Sequence, residues 1–191
     1  PPSPLHWMID DREGCIVVES MADGLHVYDN WSDVMTNEPP LTLQLENLAH
    51  YQALSPEEPV NRFAPALPLK VGGRCTGAIG LPGDWSPWSR FVRAAFLTNN
   101  SVSGDSEEES VGQFFHILTA VEQTRGCCEL DNGKYEITLY TSCCNADKGI
   151  YYYTTYGNQQ ICAVDMHKVN LNGGEVVSYE LKKQQGIHYQ N

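Results

Sequence analysis

The sequence predicts an α+β fold, with two groups of short strands flanking a helical middle, and three observations carry that expectation. Short segments rich in Val, Ile, Tyr and Thr occupy both ends of the chain, each bounded by turn residues. Apolar residues at helical spacing are confined to the middle, after Pro39-Pro40 and again between Ser86 and Val121. The two patterns do not alternate, so no βαβ series is expected.

Taken in order, Leu5 to Ile9, Cys15 to Ser20 and Leu25 to Tyr28 read as a three-stranded meander, joined by turns at Asp11-Arg12-Glu13-Gly14 and Ala22-Asp23-Gly24. Pro39-Pro40 suits a helix start, and Leu41, Leu45, Leu48 and Tyr51 or Ala49 predict a helix over Leu41 to Leu54. Ser55 to Gly80 shows no period. Five prolines from Pro56 to Pro82, with Gly72-Gly73 and Gly77, make it a long loop of the kind that is functional, interfacial or mobile. In LPGDWSPWSRFVRAAF, Pro82-Gly83-Asp84 forms a turn, Ser86 an N-cap and Pro87 the first helical residue, with Trp88, Phe91, Ala95 and Phe96 as the apolar face. A further helix over Ser106 to Val121 is opened by Asp105 with Glu108 three residues on, and buries Val111, Phe114, Phe115 and Leu118. Tyr135 to Cys143, Ile150 to Thr155, Gln160 to Asp165 and Glu175 to Leu181 then predict an antiparallel sheet.

Composition narrows the function. Twelve Lys and Arg against twenty-four Asp and Glu give a net charge of -12, a field that repels polyanions, so nucleic acid binding is not expected. No apolar run nears the roughly 18 residues of a membrane span, and the chain reads as soluble. The odd count of seven cysteines, with adjacent pairs at Cys127-Cys128 and Cys143-Cys144, points to a reducing, cytoplasmic setting. Adjacent cysteines on a strand face opposite ways and do not match zinc-ribbon spacing; the histidines show no HExxH, no serine lies in G-x-S-x-G, and VGGRCTGAIG lacks a phosphate-loop ending and reads as loop flexibility. No cofactor or metal is expected.

Five segments carry a resemblance: PLHWMIDD, GLHVYDN, VMTNEPP, the LPGDWSPWSR stretch and DKGIYYYTTY, with SVSGDSEEESVGQFFHIL between the last two. Together they resemble the choloylglycine hydrolase family, the conjugated bile acid hydrolases and penicillin V acylases, with the former the better fit. The resemblance implies an N-terminal nucleophile hydrolase, part of an αββα sandwich lacking its N-terminal strands, and residues 1–191 as the C-terminal portion of a single domain. It also implies cleavage of glycine- or taurine-conjugated bile acids, with a dimer or tetramer assembled partly through the Pro-rich loop. The alternatives are a penicillin V acylase-like amidase or a catalytically silent fragment acting in binding or assembly. Family members attack with a cysteine freed at the chain start. This chain opens at Pro1, and its first cysteine, Cys15, carries an ordinary peptide nitrogen, so the chain as given is expected to be inactive alone and poorly stable, with exposed sheet edges.

Three residues match family site positions. Asn37, which on its own reads as a turn residue, matches the asparagine that donates its amide to the oxyanion. Arg90, alone an ordinary charge in a helix's first turn, matches the arginine near the nucleophile; Arg93, one turn on, competes by chemistry only. Leu5 matches a position lining the pocket for the steroid or acyl group, and its plain reading is a core-facing strand residue. Asp33 departs from the glycine common among relatives and places a carboxylate four residues from Asn37. Tyr151-Tyr152-Tyr153 reads as sheet packing.

Overall fold

The computed structural model describes residues 5–191. Pro1, on which the expectation about the nucleophile rests, lies outside the described residues. The chain divides into two compact units, one running to Ser101 and the other Val102–Asn191.

In the first unit the meander is as expected: β1 (His6–Asp10), β2 (Cys15–Met21) and β3 (Gly24–Asp29) form one antiparallel sheet in that order. Asp11 closes the first turn by accepting the Glu13 and Gly14 amides through Oδ1, and Gly24 supplies a φ of +141° at the second. Period two puts Cys15, Val17 and Glu19 of β2 on the buried face. The opposite face presents Trp7, Ile9, Leu25 and Val27, all exposed. Leu5 is 51% exposed and precedes β1, so the core-facing reading of that residue does not hold.

Helix α1 spans Leu41–Leu48 and passes into a 3-10 turn at Ala49–Tyr51 instead of running to Leu54. Gln52 takes the Ala49 carbonyl with its side chain, which ends the helical ladder there. The long loop holds a single 3-10 turn, Thr76–Ala78. Gly77 is not there for flexibility: a Cβ on it would overlap the carbonyl oxygens of Glu57 and Ser55, so the segment closes on itself through a position only glycine fits. Helix α2 (Pro87–Asn100) starts as predicted, with Ser86 Oγ accepting the Ser89 amide and Pro87 first in the helix. The spacing predicts an end at Leu97, and the helix runs three residues further, to Asn100. Phe91, Val92 and Ala95 are buried; Trp88, expected on that face, is 41% exposed.

The second unit pairs α3 (Glu107–Thr119) with an antiparallel sheet β4 (Tyr140–Asn145), β5 (Ile150–Thr155) and β6 (Asn158–Asp165). The helix is opened by Ser106 with Glu109 in a reciprocal capping box, one residue later than the Asp105 and Glu108 pairing expected. Of its predicted core, Val111 and Phe115 are buried and Phe114 is exposed. Capping at Ser106 leaves Glu107 free to reach the β4–β5 hairpin, where it accepts from Asn145 Nδ2 (2.6 Å), Tyr152 Oη (2.8 Å) and Lys148 Nζ (2.5 Å). These contacts hold the Glu107 carboxyl below its ordinary value and push the Tyr152 phenol up to about 12.

β4 begins five residues later than predicted, Tyr135 making only an isolated bridge to Glu129. Glu175 to Leu181 forms no strand. The backbone just beyond it is held by side chains: Lys182 donates its amide to Tyr153 Oη, and its carbonyl accepts from Thr155 Oγ1 and Asn158 Nδ2. The α+β class stands. No helix among the described residues is long and apolar enough to cross a membrane.

Candidate functional site

The residues singled out at positions 5, 37 and 90 all lie in the first unit, and two of them touch. Arg90 Nη2 donates to Asn37 Oδ1 at 2.5 Å across 53 residues of sequence. The same guanidinium donates through Nε to the Trp85 carbonyl at 3.1 Å, which fixes its plane. Asn37 is exposed, and its Nδ2 makes no hydrogen bond to another described residue. An amide anchored by its oxygen in this way keeps its two N–H groups for another acceptor. It is a neutral donor suited to negative charge developing on a carbonyl oxygen.

The turn that aims Arg90 is held by side-chain hydrogen bonds. Asp84 accepts from the Ser86 amide and from Ser89 Oγ, and these bonds hold its carboxyl down at about 2. Arg93 lies buried beneath the turn, where Nη1 donates to the carbonyls of Pro82 (2.7 Å) and Asp84 (3.1 Å). Burial draws the Arg93 pKa down, with Asp84 opposing. Nη1 is spent on those backbone carbonyls, so Arg93 supports the turn while Arg90 reaches Asn37.

Asn37 sits between Val34 and a cis Glu38–Pro39 peptide. A small cleft of about 160 Å³ is lined by Leu5, His6, Glu19, Met21, Asn37 and Pro40. Leu5 and Asn37 therefore share one cavity. Glu19 is 3% exposed; its Oε1 accepts from the Leu41 amide at 3.0 Å and lies 3.4 Å from His6 Nδ1. Sequence reasoning did not single out Glu19 or His6. The available signal was a carboxylate at the inward position of the alternating run CIVVE.

Asp33 adopts φ +53°, the left-handed region that favours glycine. Tyr151 and Tyr153 lie on one face with ring centroids 6.3 Å apart, as sheet packing predicts. Among the described residues one grouping, Asp10, Cys15 and Asp33, brings three metal-capable atoms together. Its thiol is buried, and burial with Asp10 and Asp33 nearby pushes it up, while the Asn30 amide bonds the sulfur. The adjacent cysteine pairs are free thiols outside that grouping. A larger cavity of about 460 Å³, walled by Trp31, Leu45, Leu48, Val92 and Phe96, contains none of the expected site residues.

The family model described as linear amide C–N hydrolases, choloylglycine hydrolase family, matches residues 2–179. A bile salt hydrolase/transferase of Lactiplantibacillus plantarum is 50% identical over 184 residues, 96% of this chain and 57% of that protein. The crystal structure of a variant of the conjugated bile acid hydrolase from Clostridium perfringens superposes with a TM-score of 0.86 at 41% identity, covering all of this chain and 58% of that one. The penicillin V acylase from Agrobacterium tumefaciens shares the fold, with a TM-score of 0.66 at 20% identity over 86% of this chain and 46% of its own. The chain thus spans somewhat more than half the length of the relatives it matches.

Proposed function

The chain belongs to the choloylglycine hydrolase family of linear amide C–N hydrolases, and on that footing we propose that it serves hydrolysis of the amide joining a bile acid to glycine or taurine. The observation that carries the reading is the Asn37 to Arg90 contact, which orients the Asn37 amide and leaves its Nδ2 unbonded among the described residues. In this mechanism a cysteine thiolate at the amino terminus of the complete protein attacks the amide carbonyl. The carbonyl oxygen becomes an oxyanion and accepts from Asn37 Nδ2. The carbon–nitrogen bond breaks as the terminal α-amino group passes to the nitrogen the proton it took from the thiol, glycine or taurine departs, and water hydrolyses the thioester to the free bile acid and restores the thiol. Arg90 fixes Asn37 and adds positive charge that favours thiolate. Cys15 does not fit the nucleophile's part, because its thiol is buried and shifted upward. Leu5, in the same cleft as Asn37, contacts the steroid. No step calls for a cofactor.

Identity of 41–50% to bile acid enzymes, against 20% to the penicillin acylase, favours bile acid over penicillin V. Homo-oligomerisation through the Pro-rich segment is supported by the exposure of Val60, Phe63 and Ile79, at 76%, 90% and 76%. A cytoplasmic setting is supported by the free cysteines. The test is amine release from glycocholate, taurocholate and penicillin V by the product of the complete open reading frame, with intact mass and N-terminal sequence read on the same sample. Faster turnover of the bile conjugates is expected. Preference for penicillin V would make the protein an acylase, and cleavage of none would leave a role in binding or assembly.

A further inference from the structure

Helix α1 buries a polar side chain where its sequence pattern calls for an apolar one. Gln44 lies three residues after Leu41, faces inward and is 1% exposed. Its Nε2 donates to Thr36 Oγ1 at 3.0 Å and to the Glu38 carbonyl at 2.6 Å, the residues immediately before and after Asn37. The Thr36 hydroxyl in turn points to the carbonyls of Glu38 and Pro87, both at 3.3 Å, the latter at the start of the helix that carries Arg90. From the other side, buried Glu19 holds the Leu41 amide at 3.0 Å.

The arrangement is costly. Among the described residues Gln44 Oε1 and Glu19 Oε2 are buried without a hydrogen-bond partner, and each such atom costs about 1–3 kcal/mol. Leucine or methionine would fill the space at Gln44 without that penalty, so packing alone does not account for the glutamine. What the polar groups achieve is to grip the turn on both sides of Asn37 without touching Asn37 itself.

We propose that Gln44 and Glu19 are positioning residues for Asn37: Gln44 sets the Thr36 to Glu38 backbone, Glu19 sets the start of α1, and Arg90 then orients an amide whose main chain is already fixed. The proposal rests on the reading of Asn37 as the oxyanion donor. Displacement of such a donor by about 1 Å costs on the order of 10²-fold in rate, so the effect belongs in kcat.

The experiment uses the product of the complete open reading frame, as wild type, Gln44→Met, Glu19→Leu and Glu19→Gln. Two readouts are taken: amide hydrogen exchange over residues 36–41 and 87–100, and steady-state glycocholate hydrolysis. Gln44→Met and Glu19→Leu are expected to speed exchange about tenfold at 36–41 while leaving 87–100 unchanged. Both should lower kcat about 10- to 100-fold with KM within about threefold. Glu19→Gln retains an acceptor for the Leu41 amide and should keep exchange over residues 36–41 at the wild-type rate. Exchange that is unchanged at 36–41, or that rises equally in both segments, overturns the positioning role, as does a kcat that holds while only thermal stability falls. A wild type that cleaves no conjugate refutes the functional reading instead, and exchange still decides the placement of the turn.

Discussion

Asn37 meets Arg90 through its oxygen, so removal of either side chain has a defined consequence. Asn37→Ala removes the donor and is expected to cut glycocholate turnover about 10²- to 10³-fold. Arg90→Lys keeps the charge but replaces the planar fork, whose Nε and Nη2 meet the Trp85 carbonyl and Asn37 Oδ1, with one ammonium nitrogen, and should lose about tenfold or more in kcat. Asp33→Gly tests the backbone at φ +53°: a glycine there should raise the urea midpoint by about 0.5–1 kcal/mol equivalent, and a lowered midpoint would show that the Asp33 carboxylate contributes more than its strained backbone costs. At this scale the sequence was legible by motif and not by chemistry. Asn37 and Arg90 lie 53 residues apart, and neither an asparagine before Glu-Pro-Pro nor an arginine in a first helical turn announces a partner. Gln44 escaped notice because a glutamine among leucines reads as a solvated helix position, although its spacing of three from Leu41 places it on the buried stripe.

Elements whose signals are local were legible to within a few residues: the meander turns, the Ser86-Pro87 helix start, and the Tyr-rich β5. Those decided by tertiary contacts were not. Residues 175–181 have strand composition, but the adjoining backbone bonds to Tyr153, Thr155 and Asn158 side chains, so no ladder forms. The run Asp105-Ser106-Glu107-Glu108-Glu109 contains two overlapping capping boxes, and the later one frees Glu107 to cross-link α3 to the β4–β5 hairpin. That cross-link predicts a pH dependence. The folded Glu107 carboxyl titrates below its ordinary 4.5, so its stabilisation is present above that value and is lost as the pH falls through the lower, folded one. Urea unfolding of Glu107→Gln from pH 7 to pH 3 should therefore fall less steeply than wild type; parallel curves would show that the cluster contributes nothing to stability. In the long loop, Gly77→Ala should destabilise by more than about 1 kcal/mol, because the new Cβ meets backbone carbonyls and not a movable side chain, whereas Gly72→Ala meets open space and should be neutral.

On the scale of the whole molecule, the sheet face bearing Trp7, Ile9, Leu25 and Val27 is exposed. A face of that kind predicts dye binding and self-association. The chain produced as residues 1–191 should bind an environment-sensitive apolar dye and elute as associated species in light-scattering chromatography; a dye-silent monomer with one sharp unfolding transition would contradict this. Family membership follows from the match over residues 2–179, and the functional account hangs on whether the Asn37 amide serves amide hydrolysis. The most direct test is glycine release from glycocholate by the product of the complete open reading frame, wild type against Asn37→Ala at matched folded concentration. The account predicts hydrolysis by the wild type and a loss of about 10²- to 10³-fold in the variant. An inactive wild type, or a variant that cleaves as fast as the wild type, would contradict it.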